Sequence, residues 1–218
     1  MKKCNLENET GRSMIEMLGV LAIIGVLSVG GIAGYSKAMQ RYRINKTIEQ
    51  ITLIAGNVRA FFAPQKSYEG LNAYSTSSYP LIRKAKLIPE EMYMYHDSDG
   101  GGYKAGDLSG FSNALGKHVE IGWAHKSKTG DKQAFYMATS LGQKDQNYDI
   151  CIEFLSYDWT MVGVKGIRMG GGPFIYKSMP ISVDEAVNIC SNVTTYTINI
   201  FFDVNSNCWS ETNGNTCS

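Results

Sequence analysis

The hydrophobic pattern of the first 62 residues predicts one long helix with two different halves. Residues 17–36 carry no charged side chain, and about 20 such residues suffice for a helix to cross a hydrocarbon layer. Residues 37–62 instead place apolar side chains three or four positions apart, which indicates a helix with one buried face. Those apolar positions are Ile44, Ile48, Ile51, Ala55, Val58 and Phe62. Because no proline precedes Pro64, we expect a continuous helix over residues 12–62.

Beyond Pro64 the pattern changes to that of a mixed head domain. Residues 64–116 are mostly polar with few periodic apolar positions, which favours a loop region. Within it, residues 79–89 are predicted to form one short helix between two prolines. Residues 119–123 and 133–138 are predicted strands of a β-hairpin, since a polar turn containing glycine separates them.

The last third of the chain is predicted to contain two short helices and a strand. The first helix covers residues 147–159, and residues 163–177 are expected to hold a flexible glycine-rich turn. The second helix starts at Ser182, a favourable N-cap residue followed by acidic residues in the first turn. Alternating β-branched residues at 194–202 predict the final strand.

Charge and motifs exclude several functional classes. The chain has 21 Lys and Arg against 20 Asp and Glu, a formal net charge of +1. No basic cluster occurs, so we expect no direct nucleic-acid partner. The sequence contains no nucleophile elbow, phosphate-binding loop or paired C-x-x-C, and its histidines, His96, His118 and His125, belong to no catalytic motif. We therefore expect neither an enzyme nor a cofactor.

The start of the apolar run carries the most specific signal. Glu16 lies there, where an unpaired charge is costly, and Gly11 precedes it by five positions. The segment from Gly11 to Glu16, followed by an uncharged helix, resembles the class III signal of type IV prepilins. The resemblance implies that the prepilin peptidase cuts between Gly11 and Arg12 and methylates Arg12. It also implies that Glu16 pairs with the N-terminal ammonium of a neighbouring subunit and sets the stagger between subunits.

Arg12 departs from this family, whose mature chains usually begin with an apolar residue. Without the resemblance, the same segment would be a plain N-terminal signal anchor with an incidental glutamate.

The resemblance implies a fold, a location and partners for the whole chain. The fold is α+β, a pilin fold in which a long N-terminal helical spine packs against an antiparallel sheet. Residues 1–11 are the leader, 12–36 the membrane and filament-core half of the spine, 37–63 its amphipathic half, and 64–218 the head. The head divides into a variable loop region, 64–118, and a β-sheet and disulfide region, 119–218.

The expected subunit is held by one span in the inner membrane, with a periplasmic head, before it enters an extracellular pilus. Its partners are the prepilin peptidase, the inner-membrane assembly machinery and further copies of itself. Pili of this class serve in adhesion, aggregation, motility or DNA uptake.

Five cysteines raise the question of disulfides or a metal site. Cys4 lies in the expected leader, and the other four are Cys151, Cys190, Cys208 and Cys217. Their wide, irregular spacing without C-x2-C favours disulfides over zinc, and four cysteines allow three pairings. Similarity to type IVb pilins implies a Cys151–Cys190 bridge and, by default, a Cys208–Cys217 bridge.

Two other interpretations remain open from the sequence. Asp97 and Asp99 resemble the start of a calcium loop, although Leu108 stands where the closing acidic residue belongs. Calcium would favour a type II secretion pseudopilin, which forms a short periplasmic pseudopilus. A monomeric, membrane-anchored binding module would use the apolar helix only as an anchor.

Overall fold

The structure, a computed structural model, describes residues 9–71, 79–95, 108–126, 131–170 and 175–204. The N-terminal helix α1 spans Glu9–Phe62. It begins three residues before the predicted start and ends, as predicted, just before Pro64, whose ring disfavours helical conformation in the preceding residue. The chain forms two compact units, one up to Tyr42 and one from Arg43 onward.

The second unit is built on an antiparallel sheet. In the described residues the sheet has seven strands in the order β1-β2-β3-β4-β7-β5-β6, and every pair of neighbours is antiparallel. The strands are β1 Tyr93–Tyr95, β2 Leu108–Ser112, β3 His118–Ala124, β4 Ala134–Gln143, β5 Val164–Gly170, β6 Ile175–Ser178 and β7 Thr195–Phe202. The expected α+β architecture, with a long helix and an antiparallel sheet, is therefore confirmed.

The core lies between the second half of α1 and the sheet. All six apolar positions that the sequence placed on one face of this half are buried, and they belong to the same apolar cluster as Phe135 on β4 and Ile200 on β7. The ring of Phe135 stacks on that of Phe202 with centroids 4.6 Å apart. Burial of each Ile, Val or Phe side chain on this face contributes about 1.5–3 kcal/mol, so this face fixes the helix to the sheet.

The described part of the second unit also contains three shorter α-helices, α2 Tyr79–Lys84, α3 Lys144–Leu155 and α4 Val183–Asn192. Two short 3-10 helices cover Glu90–Met92 and Trp159–Val162. α2 ends earlier than predicted. The amide of Leu87 donates to the carbonyl of Ile82, and Lys86 adopts a left-handed φ of 51°. This is a helix-terminating motif that usually has glycine at the left-handed position, so the lysine gave no signal in the sequence.

Four of the strands were not expected. β1 and β2 lie within the stretch predicted as a loop, and β5 and β6 occupy the stretch predicted as a glycine-rich turn. β5 is bonded on both sides, to β7 and β6, and five of its seven residues are buried. It therefore lacks the alternation that marks a half-exposed strand.

Polar contacts also join α1 to the part of the sheet formed by β1, β2 and β3. The buried side chain of Gln50 donates to Glu91 at 3.2 Å and accepts from the amide of Ala114 at 3.0 Å. The hydrogen bond from Gln50, followed by that from Lys46, lowers the pKa of Glu91 below its usual value. These contacts align α1 with the turn between β2 and β3.

Candidate functional site

The first half of α1 exposes an uninterrupted apolar surface. Its large apolar side chains are all at least 52% exposed. They are Met14, Ile15, Met17, Leu18, Val20, Leu21, Ile23, Ile24, Val26, Leu27, Val29, Ile32 and Tyr35. Among the described residues, α1 is the one helix long and apolar enough to cross a membrane. An exposed apolar surface of this length requires lipid or other apolar helices around it.

Glu16 lies at the N-terminal end of this surface. Its side chain is exposed on α1, between the apolar residues Ile15 and Met17. The backbone of the expected cleavage position, Gly11–Arg12, also belongs to α1. The structure thus places the sequence-predicted residues on one helix, within less than two turns of each other.

The second half of α1 divides between the core and the surface. Ile51, Ile54 and Val58 are at most 2% exposed, whereas Leu53 is 48% and Phe61 37% exposed. The helix therefore uses one face to bind its own head and leaves apolar side chains on the other.

An ion pair anchors the C-terminal end of α1 to the end of β7. Nε and Nη2 of Arg59 each donate to a different carboxylate oxygen of Asp203, both at 2.9 Å. Nη1 of Arg59 donates to the carbonyl of Val162 at 2.6 Å. The guanidinium also lies over the rings of Phe135 and Phe202, 5.8 and 5.6 Å from their centroids. A bidentate, half-buried pair of this kind is stronger than an ordinary surface salt bridge.

The turn before β5 is shaped to admit this arginine. Gly163 has a left-handed φ of 78°, and a Cβ at this position would overlap the guanidinium of Arg59. Both the backbone conformation and the space therefore require glycine.

Tyr68 extends the same cluster. Its hydroxyl donates to Asp203 at 3.4 Å. Burial, and then the negative charge of Asp203, raises the pKa of Tyr68 from 10.0 to about 12, against the opposing effect of Arg59. The hydroxyl therefore keeps its proton, and can act as a donor, to a higher pH than an ordinary tyrosine.

A disulfide joins the two helices near the last strand. Cys151 of α3 and Cys190 of α4 are bonded, with Cα atoms 6.1 Å apart and a sequence separation of 39. This is the bridge that the resemblance implies. Both cysteines are fully buried, and closing a loop of this length stabilises the fold by about 3–4 kcal/mol.

Some predicted site residues lie outside the described part of the chain. They are the calcium candidates Asp97 and Asp99 and the cysteines Cys208 and Cys217. Within the described ranges, no group of three or more His, Cys, Asp or Glu side chains is arranged to hold a metal ion.

The Arg59 cluster was missed by sequence reasoning. Arg59 lies off the buried stripe of α1, which the sequence pattern associates with a solvated face. Its partner Asp203 is 144 positions away, and no local motif connects the two. The only local signal is that Asp203 directly follows the strand β7, a position where polar residues are common.

Together, the fold and the exposed helix define a disulfide-bonded α+β head that follows a candidate membrane span. No protein-family model matches the sequence, and no curated protein matches it. Among solved structures, the chain is similar to the crystal structure of a type IV b pilin from Salmonella typhi. The likeness has 13% sequence identity and a TM-score of 0.47, and covers 75% of this chain and 99% of that one. A likeness at this level assigns no function to the chain.

Proposed function

We propose that this protein is a type IV pilin, a subunit that polymerises through residues 12–36 into a helical filament. The supporting observation is the exposed apolar segment of α1 with Glu16 at its start. A lipid bilayer covers such a segment before assembly. Once the subunit leaves the bilayer, the same surface must be covered again, and the helices of neighbouring copies provide an apolar surface of matching length. Repeated, non-closing contacts of this kind produce a fibre.

Glu16 gives the assembly its register. In a core of packed apolar helices, a carboxylate is stable only beside an opposite charge. Cleavage between Gly11 and Arg12 creates such a charge, the new N-terminal ammonium on Arg12, four positions before Glu16. When each subunit's Glu16 accepts the ammonium of a neighbour, one axial stagger is favoured over all others.

The remaining regions follow from this assignment. Residues 1–11 are removed as the leader, and methylation takes place at Arg12. Residues 37–63 attach the filament core to the head, 64–218, which lies in the periplasm before assembly and outside the cell afterwards. The partners are the prepilin peptidase, the inner-membrane assembly machinery and further copies of the chain. Adhesion, aggregation, motility or DNA uptake would depend on the surface of the head.

Processing is tested by the mass of the N-terminal peptide of the protein recovered from cells, with and without the peptidase gene. We expect a peptide that starts at methylated Arg12 only when the peptidase is present. A peptide that starts at Met1 in both strains would contradict the assignment and favour an anchored binding module.

Register is tested by Glu16→Ala, with Glu49→Ala as the matched control. Both residues are exposed carboxylates on α1, but Glu49 lies in the half that binds the head. Breaking a buried ion pair costs about 3–5 kcal/mol, so Glu16→Ala should abolish surface filaments in electron micrographs while the membrane-bound pool persists. The Glu49→Ala protein should assemble. Normal filaments from Glu16→Ala would refute the registry role.

The same micrographs separate a pilin from a pseudopilin. Surface filaments at native expression support the pilin. Cleaved, methylated protein that stays in the periplasm and forms no surface filament would identify the short pseudopilus instead.

A further inference from the structure

A cleft in the head collects three lysines from distant parts of the chain. It has a volume of about 500 Å³ and is lined by Lys66, which follows α1, Lys126, which follows β3, and Lys165 of β5. Pockets of about 300–1,000 Å³ are typical of small-ligand sites. All of its lining residues belong to the second unit.

Among the residues that the structure describes, the lysines of the cleft are not engaged with carboxylate side chains. The carboxylate that lines the cleft, Asp203, is engaged by Arg59 through both oxygens. Three lysines that line one cleft repel each other, so their common position is unfavourable unless an opposite charge lies among them. A bound anion would supply that charge.

The other residues that line the cleft indicate which class of anion would fit it. The hydroxyl of Tyr68, the hydroxyl of Ser67 and the amide of Gln133 add neutral hydrogen-bonding groups. Phe62 and Val204 supply apolar surface to the same cleft. An inorganic anion would need neither the volume nor the apolar surface, and a hydrocarbon ligand would leave the polar groups without partners.

A sugar ring with an acidic substituent matches the lysines, the neutral hydrogen-bonding groups and the apolar surface of the cleft. Its carboxylate or sulfate meets the ammonium groups, its hydroxyls meet the side chains of Ser67 and Gln133, and its C–H face meets the apolar surface. We propose that this cleft binds an acidic saccharide, through a carboxylate or sulfate held by Lys66, Lys126 and Lys165.

The test is equilibrium binding to the full chain in micelles of a polyoxyethylene detergent, which has neither charge nor a sugar headgroup. The probes are 3′-sialyllactose, 3′-sulfolactose and lactose, measured by isothermal titration calorimetry at low salt. At least one acidic sugar should bind about tenfold or more tightly than lactose, because a charge-assisted hydrogen bond is roughly twice as strong as a neutral one. The acid that binds tells whether carboxylate or sulfate is preferred.

The lysines are tested by the triple variant Lys66→Gln, Lys126→Gln and Lys165→Gln. The matched control changes three exposed lysines outside the cleft, Lys84→Gln, Lys86→Gln and Lys117→Gln, and so removes the same net charge. Lys86 shares the left-handed backbone of Lys66, so the control also reproduces that feature. The cleft variant should lose about tenfold or more in affinity for the acidic sugar, and the control should keep it.

Four results would overturn the proposal. They are equal binding of lactose, equal loss in both triple variants, binding of inorganic sulfate as tight as that of 3′-sulfolactose, and binding of a single-stranded oligonucleotide as tight as that of the sugar. Circular dichroism of each variant distinguishes lost binding from lost folding. Because the assay needs no filaments, its result is independent of the proposed polymerisation.

Discussion

At the scale of single residues, we expect Arg59 to stabilise the head more than an exposed surface cation does, because it donates to both oxygens of Asp203 and to Val162. Arg59→Lys keeps the positive charge but cannot donate to both oxygens of Asp203 and to Val162 in the observed geometry. We expect a loss of about 1–3 kcal/mol in the free energy of unfolding. Thermal unfolding followed by circular dichroism measures it. Arg43→Lys, an exposed arginine on the same helix, is the control and should unfold like the unaltered protein; equal stability of both variants would contradict the role of Arg59.

Tyr68 should make the head sensitive to alkali. The folded head holds the hydroxyl proton up to a pKa of about 12, whereas an unfolded chain releases it near 10.0. Its contribution to stability is therefore complete below pH 10 and is lost as pH rises from 10 towards 12. In urea unfolding at a series of pH values, Tyr68→Phe should lose less stability over this range than the unaltered protein. Identical pH profiles would show that Tyr68 is not the group responsible.

At the scale of elements, α4 depends on its N-terminal cap. The hydroxyl of Ser182 accepts from the amide of Glu185, and the carboxylate of Glu185 accepts from the amide of Ser182, both at 3.3 Å. Ser182→Ala should cost about 1 kcal/mol, or about 2–4 °C in melting temperature for a domain of this size. Ser182→Thr keeps an acceptor and should retain most of the stability. An unchanged melting temperature in Ser182→Ala would mean that the cap contributes nothing.

Elements with strong local signals were predictable, and those defined by tertiary context were not. The β3–β4 hairpin, the cap at Ser182 and the strand β7 follow from local alternation, turn residues and capping chemistry. β5 was missed because Gly166 and Gly170 interrupt it and partners on both sides bury it. β1 has three residues, too few to show alternation.

The residues of the candidate site also divide into those with a local sequence signal and those brought together only by the tertiary fold. Gly11, Glu16 and the uncharged run are neighbours in sequence, so their chemistry can be read from the chain. The sheet must form before Arg59 can contact Asp203. It must also form before the three lysines line one cleft. No sequence spacing reports such an arrangement, since each residue alone is typical of an exposed position.

At the scale of the whole molecule, the head should fold without the apolar half of α1. The first buried apolar residue among the described positions is Ile44, and the second unit begins at Arg43. Among the residues that the structure describes, removing residues 1–36 therefore removes exposed apolar surface and no buried side chain. We expect residues 37–218 to be a monomer in detergent-free buffer, with the Cys151–Cys190 bridge formed and cooperative thermal unfolding.

A shorter chain, residues 52–218, provides the matched control for this truncation. It also lacks Ile44, Ile48 and Ile51, whose side chains fill the core, and deleting each buried side chain costs about 2–5 kcal/mol. Since a whole domain is stable by only about 5–15 kcal/mol, this chain should fail to fold. Size-exclusion chromatography measures whether each chain is a monomer, and circular dichroism measures whether it is folded. An aggregated 37–218 protein would mean that the apolar half supports the head, and a folded 52–218 protein would mean that the buried stripe of α1 is dispensable.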